Sequence, residues 1–247
     1  MSLEFKETNQ RPFPLPASPW IMKQRWDNML FLHWPVPANL LASHIPADFS
    51  LDLFQGRAWI SIVPFWARHT RLRGLPRFPF YHSYLELNVR TYMTYNGVPG
   101  IYFFSLGANK WPVVLGAKTA SFLPYYHANM NMSVQNKTVH FQSKRIQFGN
   151  MAERFQASYS PSSPIFTLKE GSLDWWLLER YCFWVQKGSH VFRGDIHHNR
   201  WRVTEAACVI HDQTLPSFLP HHVFSEKPLA HFSYQKNVFT WPLKKER

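Results

Sequence analysis

The stretch of this chain best equipped for chemistry is Tyr84-Leu-Glu-Leu-Asn-Val-Arg-Thr-Tyr-Met93. Read as a β-strand, its side chains alternate between two faces. Leu85, Leu87, Val89, Thr91 and Met93 make one row, suited to burial. Tyr84, Glu86, Asn88, Arg90 and Tyr92 make the other, a carboxylate, an amide and a guanidinium between two phenols. Successive members of that row stand roughly 7 Å apart, so one small polar molecule can touch three of them. Glu86 is the single acidic residue between Asp52 and Glu153, an interval that holds 11 Lys and Arg. A lone carboxylate among cations suits an inward-facing acid/base or anchoring group. Arg90 suits a carboxylate clamp, because a guanidinium can make two parallel hydrogen bonds to one carboxylate. Asn88 would add a hydrogen-bond donor. The same alternation also fits a solvated strand face, and Glu86 with Arg90 fits a buried structural bridge that needs no ligand.

Other chemistries find less support. Glu179 and Asp195 are available as second carboxylates, but no spacing joins them to Glu86, and Glu179-Arg180-Tyr181 at a helix end reads as an internal ion pair. His33, His127, His197-His198, His211 and His221-His222 include no two-histidine helical spacing with a third ligand, so no metal is expected. Adjacent histidines on a strand point to opposite faces, so at most one of His197 and His198 faces any given pocket. No Gly-x-Ser-x-Gly elbow, phosphate-cradling loop or dinucleotide fingerprint is present, and no cofactor is expected. Lys110 and Lys118 could form an imine with a carbonyl substrate, although lysines on a turn or short helix are usually solvated.

A formal charge of +12 raises the prospect of a nucleic acid or another polyanion as partner. The bases are scattered singly or in pairs, as at Arg71/Arg73, Lys144/Arg145 and Lys244/Lys245, with no basic helix or stacking platform. A positive cavity for an anionic small molecule fits better, and a basic surface module is the alternative. No apolar run reaches the roughly 18 residues of a membrane span. The N-terminus lacks the charged-then-apolar layout of a signal peptide. Cys182 and Cys208 form no framework. A cytoplasmic protein is expected; the sequence leaves a homo-oligomer open.

The elements that must position the row are short. Aromatic content is 17% and Pro numbers 19 in 247 residues, which suits strands joined by turns. Residues 1–20 read as an extended arm, since Pro12, Pro14, Pro16 and Pro19 forbid a regular helix. Strands are expected at 29–34 and 58–65, the second with Pro64 at an edge or bulge, and a short helix at 37–44. An irregular loop follows over 66–83, with Arg68, Arg71, Arg73, Arg77, Pro76 and Pro79. The 84–93 strand turns at Asn96-Gly97, a strong hairpin signal, prolonged by Pro99-Gly100, into 101–106. A short helix is expected over 113–122, then strands at 129–134, 139–148 and 154–159, with Gln135-Asn136 and Gly149-Asn150 as turns. Ser172 is placed to cap a helix to about Arg180. Strands at 182–185 and 190–196, then a final one near 232–239, complete one α+β domain over 1–247. It is mostly antiparallel sheet, curled or closed into a barrel-like form, with a few short helices.

Several runs resemble the YqjF-like family of bacterial proteins: Leu30-Phe-Leu-His33-Trp34-Pro-Val-Pro37, Gly56-Arg-Ala-Trp-Ile-Ser-Ile-Val-Pro-Phe65, Glu86-Leu-Asn-Val-Arg90-Thr-Tyr92, Gly97-x-Pro99-Gly100-Ile-Tyr-Phe-Phe-Ser105-Leu106, Glu179-Arg180-Tyr181-Cys182 and Ile196-His197-His198. They span nearly the whole chain in order. That family is similar in turn to the acetoacetate decarboxylase-like superfamily, whose curled antiparallel fold encloses a small-molecule cavity. The resemblance implies that Tyr84-x-Glu86 matches a Tyr-x-Glu strand whose carboxylate lines the active site. It also implies that Phe122-Leu-Pro-Tyr125-Tyr126-His-Ala128 stands where decarboxylases carry Gly-x-Pro-Lys-Lys. Two tyrosines then replace the lysine pair. A phenol cannot form an imine, so imine decarboxylation is not expected unless Lys118 substitutes. Tyr125 or Tyr126 would supply a phenol instead. His33 and His197 are weaker candidates for proton transfer, and Trp34, Ser105 and Arg180 are further candidates for ligand contact. The expectation is a cavity for a small anionic or carbonyl-bearing metabolite, such as a carboxylic acid; whether catalysis follows binding stays open.

Overall fold

The computed structural model describes residues 5–76, 82–145 and 153–247. Arg77, Pro79, the end of the strand expected over 139–148 and the Gly149-Asn150 turn lie outside them.

Among the described residues the chain forms 14 strands and three short α-helices. In order these are β1 (Met22–Val36), α1 (Ala38–Ala42), β2 (Ser50–Leu51), β3 (Ala58–Leu72), β4 (Tyr84–Tyr95), β5 (Val98–Ala108), α2 (Trp111–Ser121), β6 (Tyr125–Gln135), β7 (Thr138–Arg145), β8 (Arg154–Pro161), β9 (Phe166–Thr167), α3 (Leu173–Leu178), β10 (Cys182–Lys187), β11 (His190–His197), β12 (Arg202–Gln213), β13 (Leu229–Thr240) and β14 (Lys244–Lys245). The α+β, mostly antiparallel reading holds. β5 pairs in parallel with β6 and β10, and the other pairings are antiparallel. Parallel neighbours need a crossover, and α2 supplies it between β5 and β6.

The sheet curls so far that its pairings return on themselves twice. The strands β13, β1, β3, β4 and β5 are shared. One return runs from β5 through β6, β7, β8 and β12 back to β13. The other runs from β5 through β10 and β11 to β13. Each shared strand therefore has an interior on both sides. Leu30, Leu32, Ile60, Ile62, Leu87 and Val89 face the first compartment, which Phe141, Phe155 and Phe232 fill. Each such side chain adds about 2 kcal/mol by leaving water. Phe31, Val63, Phe65 and Tyr92 face the second, under α3 and Trp201.

Local sequence explains the turns and offsets. Asn96 and Gly97 both take positive φ, 49° and 76°, which is the I′ geometry that matches strand twist. Asn28 and His69 also take positive φ, 50° and 52°. They lie beside register shifts between β1 and β3, and such bulges change which face a strand presents. Pro64 lies in the stretch where β1 and β3 lose register, a position that suits a residue with no N–H to give. Of the edge or bulge expected there, the structure shows a break in register, since β3 lies between β1 and β4. Ser172 caps α3, its Oγ accepting from Trp175 N at 3.2 Å. The helix stops at Leu178, short of Arg180.

Two expectations need correction, and one strand was not foreseen. Residues 66–72 continue β3 rather than forming a loop, because Arg68 and Arg71 pair across to β1 with their charges at the periphery. β12 had no counterpart in the sequence reading. Pro99 and Gly100 lie inside β5, not in the turn. There Gly100 is required, since a Cβ would come within 2.7 Å of the Trp184 ring.

Candidate functional site

The second compartment encloses a cavity of about 590 Å³. β4 presents Tyr84, Glu86, Asn88 and Arg90 to it, β6 presents Tyr125, and the segment after α3 presents Arg180. The positioning follows from register. Asn88 lies opposite Leu106 of β5, and Leu106 lies beside Tyr125 of β6. A bulge in β5 opposite Arg90 offsets the ladder at the same point, a common device beside functional sites.

Glu86 is only 5% exposed. Burial pushes its pKa up to about 7, against the opposing influence of Asn88 and Tyr125, which favour the charged form. The Tyr125 hydroxyl donates to Glu86 Oε2 at 3.1 Å. Burial and the neighbouring carboxylate lift the Tyr125 phenol well above its ordinary range, so it remains a proton donor. Asn88 Oδ1 is buried with no partner. Gln24 Nε2 donates to the Tyr84 hydroxyl at 2.6 Å, which fixes the wall beside Glu86.

Arg90 is 8% exposed and lies beside the Tyr92 hydroxyl and over the Phe31 ring, 5.5 Å from its centroid. Burial pulls its pKa down, and its Nε is buried without a partner. Among the described residues no ion pair joins Arg90 to Glu86 or to any other acid. The structural bridge admitted by the sequence is thus replaced by a separated acid and cation. Arg180 is compensated: its Nη1 donates to Asp52 Oδ2 at 2.5 Å and its Nε to the Trp176 carbonyl at 2.6 Å, while Nη2 stays buried and unpartnered. Glu179 does not pair with it. The Glu179 carboxylate accepts from the Tyr181 hydroxyl and from the Trp201 N–H.

The remaining sequence candidates lie elsewhere. Tyr126 is one residue along from Tyr125 and faces away, under the Arg145 guanidinium at 4.4 Å, with Ser105 beside it. Trp34 is in the packed compartment, its Nε1 donating to the Glu226 carbonyl. His33 is fully buried behind the cavity wall, 2.7 Å from Ser61 Oγ, which in turn bonds the Tyr92 hydroxyl. Of the histidine pair, His198 lines the cavity and His197 faces Arg11 and Phe5. The strand-parity argument allowed one of the two; the sequence reading named His197, and the cavity takes His198. His198, Trp201 and the face of α2 are cavity residues that the sequence reading missed, because non-local pairing brings them there.

Among the described residues no lysine lines the cavity. Lys110 and Lys118 are exposed. Burial pushes Lys236 down to about 8, but its Nζ is bound to the Asn199 and Arg200 carbonyls behind Trp201. An imine at this site therefore lacks its amine, including the Lys118 substitute. Among the described residues no three His, Cys, Asp or Glu side chains gather as a metal site, and no helix is long and apolar enough to cross a membrane.

The profile of DUF2071, described as an uncharacterized conserved protein, matches residues 23–237. The chain belongs to this family. It is 39% identical over 236 residues to the uncharacterized protein YqjF of Bacillus subtilis (strain 168), covering 96% of this chain and 97% of that one. The fold is similar to that of an acetoacetate decarboxylase-like enzyme from Sphingomonas wittichii RW1, with TM-score 0.64, 12% identity and coverage of 96% and 99%. It is similar also to the enduracididine biosynthesis enzyme MppR complexed with pyruvate, with TM-score 0.60, 9% identity and coverage of 95% and 92%. A third likeness is to acetoacetate decarboxylase from Legionella pneumophila, with TM-score 0.56, 14% identity and coverage of 98% and 94%. These structures share the acetoacetate decarboxylase-like fold with this DUF2071 chain, which agrees with the resemblance read from its motifs.

Proposed function

We propose that this DUF2071 protein binds a carbonyl-bearing carboxylic acid in the cavity, with the carboxylate on Arg90 and the carbonyl region beside Glu86 and Tyr125. The observation that carries this reading is Arg90 itself, a buried guanidinium with an unpartnered Nε and no acid of its own. Burying an uncompensated cation costs several kcal/mol, and an anionic ligand offsets that cost. MppR, a fold neighbour, is known complexed with pyruvate, a keto acid of the same chemical class.

A second reading adds chemistry, and the Glu86 pKa of about 7 favours it. A carboxylate poised near neutrality can take a proton from carbon next to the ligand carbonyl and return it. Tyr125, held protonated, then donates to the oxygen on which charge develops. Such proton exchange needs no amine. The test is α-proton exchange of pyruvate or 2-oxobutanoate in deuterated buffer, followed by NMR. Wild type should exchange well above buffer alone, Glu86→Gln should fall to the buffer rate, and Arg90→Met should lose saturation with the acid. Exchange unaffected by both substitutions overturns the reading.

A further inference from the structure

The cavity is far from evenly polar. Glu86, Arg90 and Arg180 carry its charge, and the rest of the wall is mostly apolar, interrupted by Gln24, Thr70, His82, Ser121 and Thr240. Glu86 lies opposite Phe65 in β3. From Phe65 the cavity follows β3 toward Leu72, seven residues on and roughly 20 Å of strand. There Leu72 and Ile21 line the cavity and are also 40% and 42% exposed. This is a partly exposed mouth, where the two apolar side chains stand beside Thr70, His82 and Thr240.

The roof over that passage is α2. Gly116, Ala117 and Ala120 line the cavity, and with no more than a methyl group each they leave the space beneath them open. Val114 is the one buried residue of this 11-residue helix. An isolated helix of that length is marginal in water, and Val113 and Val114 hold this one to the core of the second compartment. A three- or four-carbon acid would leave most of this wall facing water in an apolar space, which is unfavourable.

We infer that the acid bound here carries an extended apolar tail, a medium-chain acyl or arylalkyl group. Its carboxylate lies at Arg90 and its tail runs under α2 toward Ile21 and Leu72. This rests on the carboxylate reading above and specifies the class of acid.

The test is calorimetric titration of the full chain with straight-chain carboxylates from acetate to decanoate, each below its micelle concentration, with decanol as the uncharged control. Affinity should rise about three- to fourfold per added methylene until the passage is filled. In Ala117→Trp, and separately in Ala120→Trp, the rise should stop at a shorter chain. A flat series in which Arg90→Met still weakens every acid overturns the tail and leaves the carboxylate site standing. A rising series that Arg90→Met does not weaken, or that decanol matches, overturns the carboxylate reading. An unchanged series in both tryptophan variants overturns the placement under α2. No binding by any acid overturns both claims.

Discussion

The Tyr125 hydroxyl donates to Glu86 Oε2 across 3.1 Å, spanning from β6 to β4 over the intervening β5. One partner keeps its proton, because burial holds the phenol well above its usual range. The other gains or loses its proton near pH 7. A fixed donor beside a switchable acid is what proton exchange at a carbonyl compound requires.

The first prediction concerns pH. Glu86 keeps its proton to about pH 7 in the folded chain, against 4.5 for the ordinary side chain. Between those values the folded state binds more protons than the unfolded one, so Glu86 makes stability fall as pH rises through that window. The loss reaches about 3 kcal/mol above pH 7. His198, pushed down to about 3 by burial, acts in the opposite sense as pH falls below 6.5, so the comparison is made by difference. Urea unfolding of wild type and Glu86→Gln from pH 5 to 8 should show the variant losing this fall. Parallel curves for the two proteins contradict it.

The second concerns Arg90. Replacing a buried, unpaired guanidinium by a hydrocarbon of similar length removes a desolvation cost. Tyr92 keeps its bond to Ser61. Arg90→Met should therefore stabilise the ligand-free protein by about 1 to 3 kcal/mol, while abolishing the rise in melting temperature that a bound acid confers. A large destabilisation on calorimetric melting would show that Arg90 serves the fold.

What could be read from the sequence was local. β4 announced its polar row because a period of two is written in ten consecutive residues, and Asn96-Gly97 fixed where it turns. Pro64 marked an edge or a bulge for the same local reason, and the register break lies there. Where parity depends on a distant partner, the sequence could not decide. Tyr125 and Tyr126 are chemically equivalent on paper, as are His197 and His198, and only the neighbouring strand decides which one faces inward. Arg180 was singled out by its motif, but Asp52, which holds it, lies 128 residues away. Nothing in the residues of α2 marks it as the roof of a cavity, because the crossover between β5 and β6 puts it there.

The third prediction follows from that long-range pair. Asp52→Asn leaves Arg180, with its side chain 5% exposed, as a second uncompensated cation in the cavity wall. Stability without ligand should drop by about 2 kcal/mol, and added carboxylates should recover more melting temperature than in wild type. Equal recovery in both proteins counts against Arg180 facing the ligand.

The fourth tests the packing behind the cavity. A Cβ on Gly194 of β11 would come within 2.0 Å of the Phe183 ring, and Phe183 lines the cavity. Gly194→Ala should cost about 1 to 3 kcal/mol in urea unfolding, with weaker acid binding as the ring is pushed inward. A neutral substitution would mean that Phe183 does not pack on β11.

The most direct test of the account is the titration of the Glu86 side chain itself, followed by the 13C chemical shift of its carboxyl carbon in labelled protein, with Glu86→Gln to assign the signal. A midpoint near pH 7 is predicted for a carboxyl enclosed beside Tyr125. A midpoint between 4 and 5 would place Glu86 in water and contradict the cavity on which the account depends.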